Sequence, residues 1–158
     1  MAASAKWPDI AGRAVAGGHV LPVRVYYEDT DFSGRVYHAS FLRFCERGRS
    51  ELLRSLGLSH ADLSRNGVEG LFFAVRRMVV DYLAPAAIDD LLEIRSTVAA
   101  ATGARLVIDQ QVSLGDKPIM RAEVTVVALG RQGRPRRLPQ PLAARLKRLA
   151  APEPRGKF

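Results

Sequence analysis

Between residues 26 and 38 the chain reads Tyr-Tyr-Glu-Asp-Thr-Asp-Phe-Ser-Gly-Arg-Val-Tyr-His. Glu28, Asp29 and Asp31 put three carboxylates within four positions, and His38 follows. Like charges sharing a site raise one another's pKa, and a carboxylate lifted towards neutrality suits general-base work. A carboxylate can also attack an activated carbonyl directly. At least one of the three carboxylates therefore fits a chemical role. His38 fits a group that polarises a carbonyl, orients water or returns a proton to a leaving group. In isolation Asp31 fits a turn cap better, and His38 also fits a packed contact residue. Gly34 fits a turn at positive φ or a close approach to substrate. Tyr37 fits a pocket wall or a core aromatic.

Other candidate groups are weaker. Cys45 is the single cysteine, which precludes an intrachain disulfide and points to a reducing compartment. It lies on the apolar side of a helical pattern, where a thiol is inert packing. Glu46 and Glu51 share that segment with arginines and fit surface ion pairs. Three scattered histidines and one cysteine have no spacing that closes a metal site, so no metal or cofactor is expected. Phosphate-cradling glycine loops and Gly-x-Ser-x-Gly elbows do not occur.

These residues must be positioned by regular elements. Val20 to Tyr27 alternates β-branched, aromatic and polar residues and predicts a strand. From His38 or Ser40 to Leu56, the residues Phe41, Phe44, Cys45, Gly48, Leu52 and Leu56 recur at helical spacing. Ser40 is the expected N-cap and Gly57 the expected stop. Gly48 within the helix implies close contact with a sheet. The N–H groups of residues 37–40, at the helix start, are candidate oxyanion donors. A short helical turn and loop are expected over 58–70. Four strands follow, over 71–83, 88–101, 105–114 and 118–129, with breaks at Pro85, Thr102-Gly103 and Gly115-Asp116. Their short connections predict an antiparallel meander.

The resulting α+β fold has the hot-dog architecture: a five-stranded antiparallel sheet wrapped around one long central helix, plus a C-terminal basic helix. Residues 1–18 read as a flexible leader, 19–138 as the domain, and 139–158 as the basic helix and tail.

The 158 residues carry a net charge of +8, with an isoelectric point near 10.4, so anionic partners are favoured. Much of the excess follows position 130. Surface aromatics interleaved with the basic residues are lacking, so no nucleic acid partner is expected. Apolar runs are too short to span a bilayer, and the protein is not expected to be transmembrane.

The most specific signal is Val23-Arg-Val-Tyr-Tyr-Glu-Asp-Thr-Asp31-x-x-Gly34-x-Val-Tyr-His38-Ala-Ser-Phe, followed by Cys45-Glu-Arg-Gly-Arg-Ser-Glu51. It resembles the hot-dog acyl-CoA thioesterases of the 4-hydroxybenzoyl-CoA thioesterase family. The resemblance is greatest to the YbgC-like branch associated with the Tol–Pal system. A second block, Phe73-Ala-Val-Arg76-Arg77-Met through Asp81-Tyr-Leu-Ala-Pro-Ala to Asp89-Asp90, matches the same branch. Arg35 departs from the small aliphatic residue of many relatives, and Ser33 from a small residue such as glycine.

The resemblance implies hydrolysis of an acyl-CoA to free acid and coenzyme A, with Asp31 and His38 catalytic. It further implies a site at a subunit boundary, in a homodimer or homotetramer. Gly34, Tyr37, Arg76, Arg77 and Arg105 are the expected substrate-binding residues, the arginines for coenzyme A phosphates. The alternative is a binding module with little hydrolysis, recognising acyl groups on acyl carrier protein or joining envelope-associated proteins. The implied location is cytoplasmic, with peripheral contact at the inner membrane. Hydratases share the fold, but their motifs are absent from this chain.

Overall fold

The computed structural model describes residues 10–58 and 70–150. The loop expected at 58–70 lies almost wholly outside them. Six strands form one antiparallel sheet: β1 (Arg13–Val15), β2 (Gly18–Arg24), β3 (Phe72–Tyr82), β4 (Leu91–Thr102), β5 (Arg105–Leu114) and β6 (Lys117–Leu129). Helix α1 spans His38–Ser55 and α2 spans Gln140–Ala150.

Alternation along β4 buries Leu92, Ile94, Ser96 and Val98 and exposes Leu91, Glu93 and Arg95. The same period on β5 and β6 gives one apolar face, which α1 covers with Phe41, Phe44, Cys45, Gly48, Leu52 and Leu53. A Cβ on Gly48 would lie 2.9 Å from Ile94 Cγ2 and 3.0 Å from Ser96 Oγ, so glycine permits the close helix–sheet approach. Beneath it, the buried Gln110 amide donates to the Cys45 carbonyl and to Ser96 Oγ, and accepts from Arg49. Burying these polar groups is tolerable because they satisfy one another.

The helix ends differ from expectation at one terminus. Tyr37, not Ser40, is the N-cap, and Ser40 is buried in the first turn. The apolar stripe that includes Phe41 favours an earlier start. At the other end Gly57 takes φ +79° and donates to Arg54, while Leu58 donates to Leu53. This is the paired-bond arrangement that terminates many helices at glycine.

Two features of the sheet correct the sequence reading. First, the strands among the described residues number six, because Arg13–Val15 within the expected leader pairs with β2. Second, the strand order is β1-β2-β4-β5-β6-β3, so only β4, β5 and β6 form a meander. β3 pairs with β6 at the sheet edge, and β4 pairs with β2. Residues 83–90 cannot close a hairpin because their hydrogen bonds run elsewhere. Leu83 and Ala84 donate to Ile119, Val36 donates to Ala86, and Val25 donates to Asp90. Pro85 has no N–H to offer a ladder.

Residues 140–150 of the basic segment fold as α2. It buries Leu142 and Leu146, packs on β4, and directs Arg145 to the Leu56 carbonyl at the end of α1.

Candidate active site

The acidic segment leaves β2, passes through a 3-10 turn at Tyr27–Asp29 and reaches α1 through a second turn at 31–34. The first turn is held by Asp29, whose buried carboxylate accepts from the Tyr26 N–H at 2.8 Å. The second is held by Gly34 N–H to the Asp31 carbonyl at 3.0 Å, and Asp31 N–H to the Arg35 carbonyl at 2.9 Å. Gly34 has φ +75°, and nothing lies within 4 Å of where its Cβ would be. The glycine is therefore required by conformation, and within the chain no close approach explains it.

Asp31 is exposed. Its Oδ1 accepts from the Ser33 N–H at 2.8 Å and from Ser33 Oγ at 2.5 Å. These bonds, the hydroxyl foremost, hold its pKa below the usual carboxylate value, and His38 adds a smaller attraction. This corrects the expectation of a raised pKa. The three carboxylates do not share one site, because Asp29 turns inward to hold the first turn while Asp31 faces solvent. Ser33, in sequence only a departure from the family pattern, holds the Asp31 carboxylate and lowers its pKa.

His38 is the first residue of α1 and is exposed. Its ring meets Tyr37 edge-on at 4.5 Å and Tyr82 at 6.3 Å, and its carbonyl accepts from the Tyr82 hydroxyl at 2.9 Å. Tyr82 escaped the sequence reading as a site residue. Its only signal was its place in the second family block. Of the four helix-start N–H groups, Tyr37 donates to Asp29 and Ser40 to Tyr37. His38 and Ala39 have no N–H acceptor among the described residues and are the donors still available.

Asp31, Gly34, Tyr37 and His38 thus come together where α1 begins, beside the C-terminal end of β3. Arg76, Arg77 and Arg105 come together elsewhere. They line an open depression of about 540 Å³ on the sheet face away from α1, where Arg77 lies 3.9 Å from Glu123. Arg76 is the extra residue of a bulge in β3. Arg77 is five residues from Tyr82, about 17 Å along the strand. A second groove, of about 380 Å³, runs beside α1 over Phe73, Val75, Leu106, Ile108 and Val126, with Glu46, Arg49, Ser50 and Leu53 on its helix wall. Cys45 is fully buried, and burial pushes its thiol up to about 11. Glu51 pairs with Arg54, as expected for surface charges.

An antiparallel sheet backed by one long helix, with an acidic turn at the helix start, defines the hot-dog class. The sequence agrees: residues 25–146 match the thioesterase-like superfamily, and the chain belongs to that family. Acyl-CoA thioester hydrolase YbgC of Escherichia coli O6:H1 is 43% identical over 128 residues, covering 80% of this chain and 93% of that one. Acyl-CoA thioesterase YbgC of Haemophilus influenzae is 38% identical over 112 residues, covering 71% and 81%. A probable thioesterase from Bartonella henselae superposes with a TM-score of 0.75 at 44% identity, covering 77% of this chain and 99% of that structure.

Proposed function

We propose that the protein hydrolyses acyl-CoA thioesters to free acid and coenzyme A, with Asp31 and His38 as catalytic residues. One observation carries the assignment of the site. Asp31 is fixed by Ser33 through Oδ1, which leaves Oδ2 without a partner among the described residues, in an exposed turn that leads into the helix start and within electrostatic reach of His38. A held, ionised carboxylate can deprotonate water or attack the thioester carbon. The His38 and Ala39 N–H groups, at the positive end of α1, stabilise the oxyanion. Tyr37 and Gly34 border the acyl carbonyl. His38 steadies the departing thiolate.

The site is open in a single chain and is completed by a second copy. β3 is a long edge strand whose exposed residues include Phe72, Val75, Val79 and Tyr82. Such an edge invites pairing. A two-fold axis normal to the sheet joins two copies of β3 antiparallel, covering these side chains and walling the groove beside α1. The acyl group occupies that groove, and Arg76, Arg77 and Arg105 attract the coenzyme A phosphates. Thioesters on an acidic carrier protein are a second substrate form suited to the cationic surface. The reducing cytoplasm, with peripheral contact at the inner membrane, is the proposed location.

The test is thiol release across a panel of acyl-CoA chain lengths, with Asp31→Asn beside the wild type. The variant is expected to fold and lose nearly all turnover. Wild-type rates in Asp31→Asn would reject the assignment. Single-turnover hydrolysis in oxygen-18 water, with label sought in Asp31, distinguishes nucleophile from base.

A further inference from the structure

The loop between β6 and α2 carries Arg131, Arg134, Arg136 and Arg137, and no acidic residue occurs between Glu123 and Glu153. The loop is well braced. Gly130 N–H donates to Arg134, Gly133 to Gly130 and Arg136 to Ala128, and Leu129 bridges Pro135. The side chains of Arg131, Arg134 and Arg137 are exposed and have no hydrogen bond or ion pair among the described residues. Cations confined to a braced turn repel one another, and a polyanion relieves that repulsion.

The location of this loop limits which anion it can serve. Arg131 lies across Gly70 at the N-terminal end of β3, its Nε 3.1 Å from where a Gly70 Cβ would sit. Asp31 and His38 lie at the opposite end of β3, where Tyr82 donates to His38. Ten residue steps separate Phe72 from Tyr82, about 33 Å of strand. From thioester sulfur to the first phosphorus, the pantetheine arm has about twelve bonds and spans about 15 Å when extended. Within one chain, the loop cannot hold the phosphates of a substrate bound at Asp31.

Antiparallel pairing of β3 with its copy reverses this geometry. The N-terminal end of one β3 comes beside the C-terminal end of the other, with about 4.8 Å between paired strands. We propose that Arg131 and Arg134 bind coenzyme A phosphates in trans, so that each site takes its carboxylate from one subunit and these arginines from the other. The proposal rests on the thioesterase reading and on pairing through β3.

The test uses full-length chains. Calorimetric binding of coenzyme A requires no turnover. Arg131→Gln/Arg134→Gln should weaken it about tenfold or more, a charge-assisted contact being worth roughly that factor. The KM for octanoyl-CoA should rise relative to that for S-octanoyl-N-acetylcysteamine, which lacks the nucleotide. A mixed dimer of Asp31→Asn with Arg131→Gln/Arg134→Gln then separates trans from cis. In trans, one of its sites is intact and hydrolyses octanoyl-CoA with the wild-type KM. In cis, its only subunit with Asp31 carries the weakened arginines and shows the raised KM. A raised KM in the mixed dimer, or unchanged coenzyme A affinity in the double variant, overturns the proposal. Wild type that binds coenzyme A but releases no thiol from any acyl-CoA would instead count against the thioesterase reading.

Discussion

Gly34→Ala tests whether the geometry of the 31–34 turn governs the reaction. The glycine adopts φ +75° with open space around its Cβ position, so a methyl meets no atom of the chain. The penalty is backbone strain, about 1–2 kcal/mol for an L-residue in the left-handed region. Stiffening the unfolded chain returns about 0.4–1 kcal/mol. The net loss is about 1 kcal/mol, and the melting temperature should fall by about 2–4 °C for a chain of this size. Strain of about 1–2 kcal/mol also favours opening the turn, which releases Ser33 from Asp31. If only the closed turn reacts, kcat/KM should fall by a factor of about 5–30. Gly34→Asn should lose less, because asparagine tolerates positive φ. Thermal denaturation and steady-state thiol release measure both quantities. Full activity in Gly34→Ala would refute a role for turn geometry. Equal, several-hundred-fold losses in both variants with native melting temperatures would show that a second subunit or the substrate contacts the glycine.

Two pH-dependent behaviours follow from other groups. Ser33→Ala removes the larger of the two bonds that lower the Asp31 pKa, so that pKa should rise and the acid limb of the kcat/KM profile should move to higher pH. An unmoved limb would mean that Asp31 does not control it. His19 is buried in β2 with Nδ1 unpartnered among the described residues, and burial lowers its pKa from 6.5. Its folded pKa lies below its unfolded one, so its stabilising contribution is present above about 6.5 and is lost as pH falls through the folded value. Denaturant titrations of His19→Gln should therefore show a shallower loss of stability on acidification than wild type, and parallel curves would dismiss the assignment.

The parts of the fold governed by local periodicity were legible in the sequence. The stripe from Phe41 to Leu52 placed α1, Gly48 announced close helix–sheet contact, and alternation located β3 to β6 within a few residues. Strand order was not legible, because the segment 83–90 is defined by bonds to Ile119, Val36 and Val25, which are distant in sequence. Asp31, Gly34, Tyr37 and His38 are close in sequence, and they lie together where α1 begins. The motif could not show which way each carboxylate turns. Asp29 and Asp31 are two residues apart, yet one braces a turn from within and the other faces solvent. Tyr82 was missed for the same reason, since its hydroxyl meets His38 across 44 residues.

The attachment of α2 to both β4 and the end of α1 has a consequence for biosynthesis. Leu142, Leu146 and Arg145 are among the last described residues to leave the ribosome, yet they cap surface made by segments translated long before. Until they emerge, the part of β4 on which α2 packs stays bare, and the nascent chain is open to aggregation. A stop codon a few residues before Gln140 would spare every residue of the acidic turn and still leave that part of β4 uncovered.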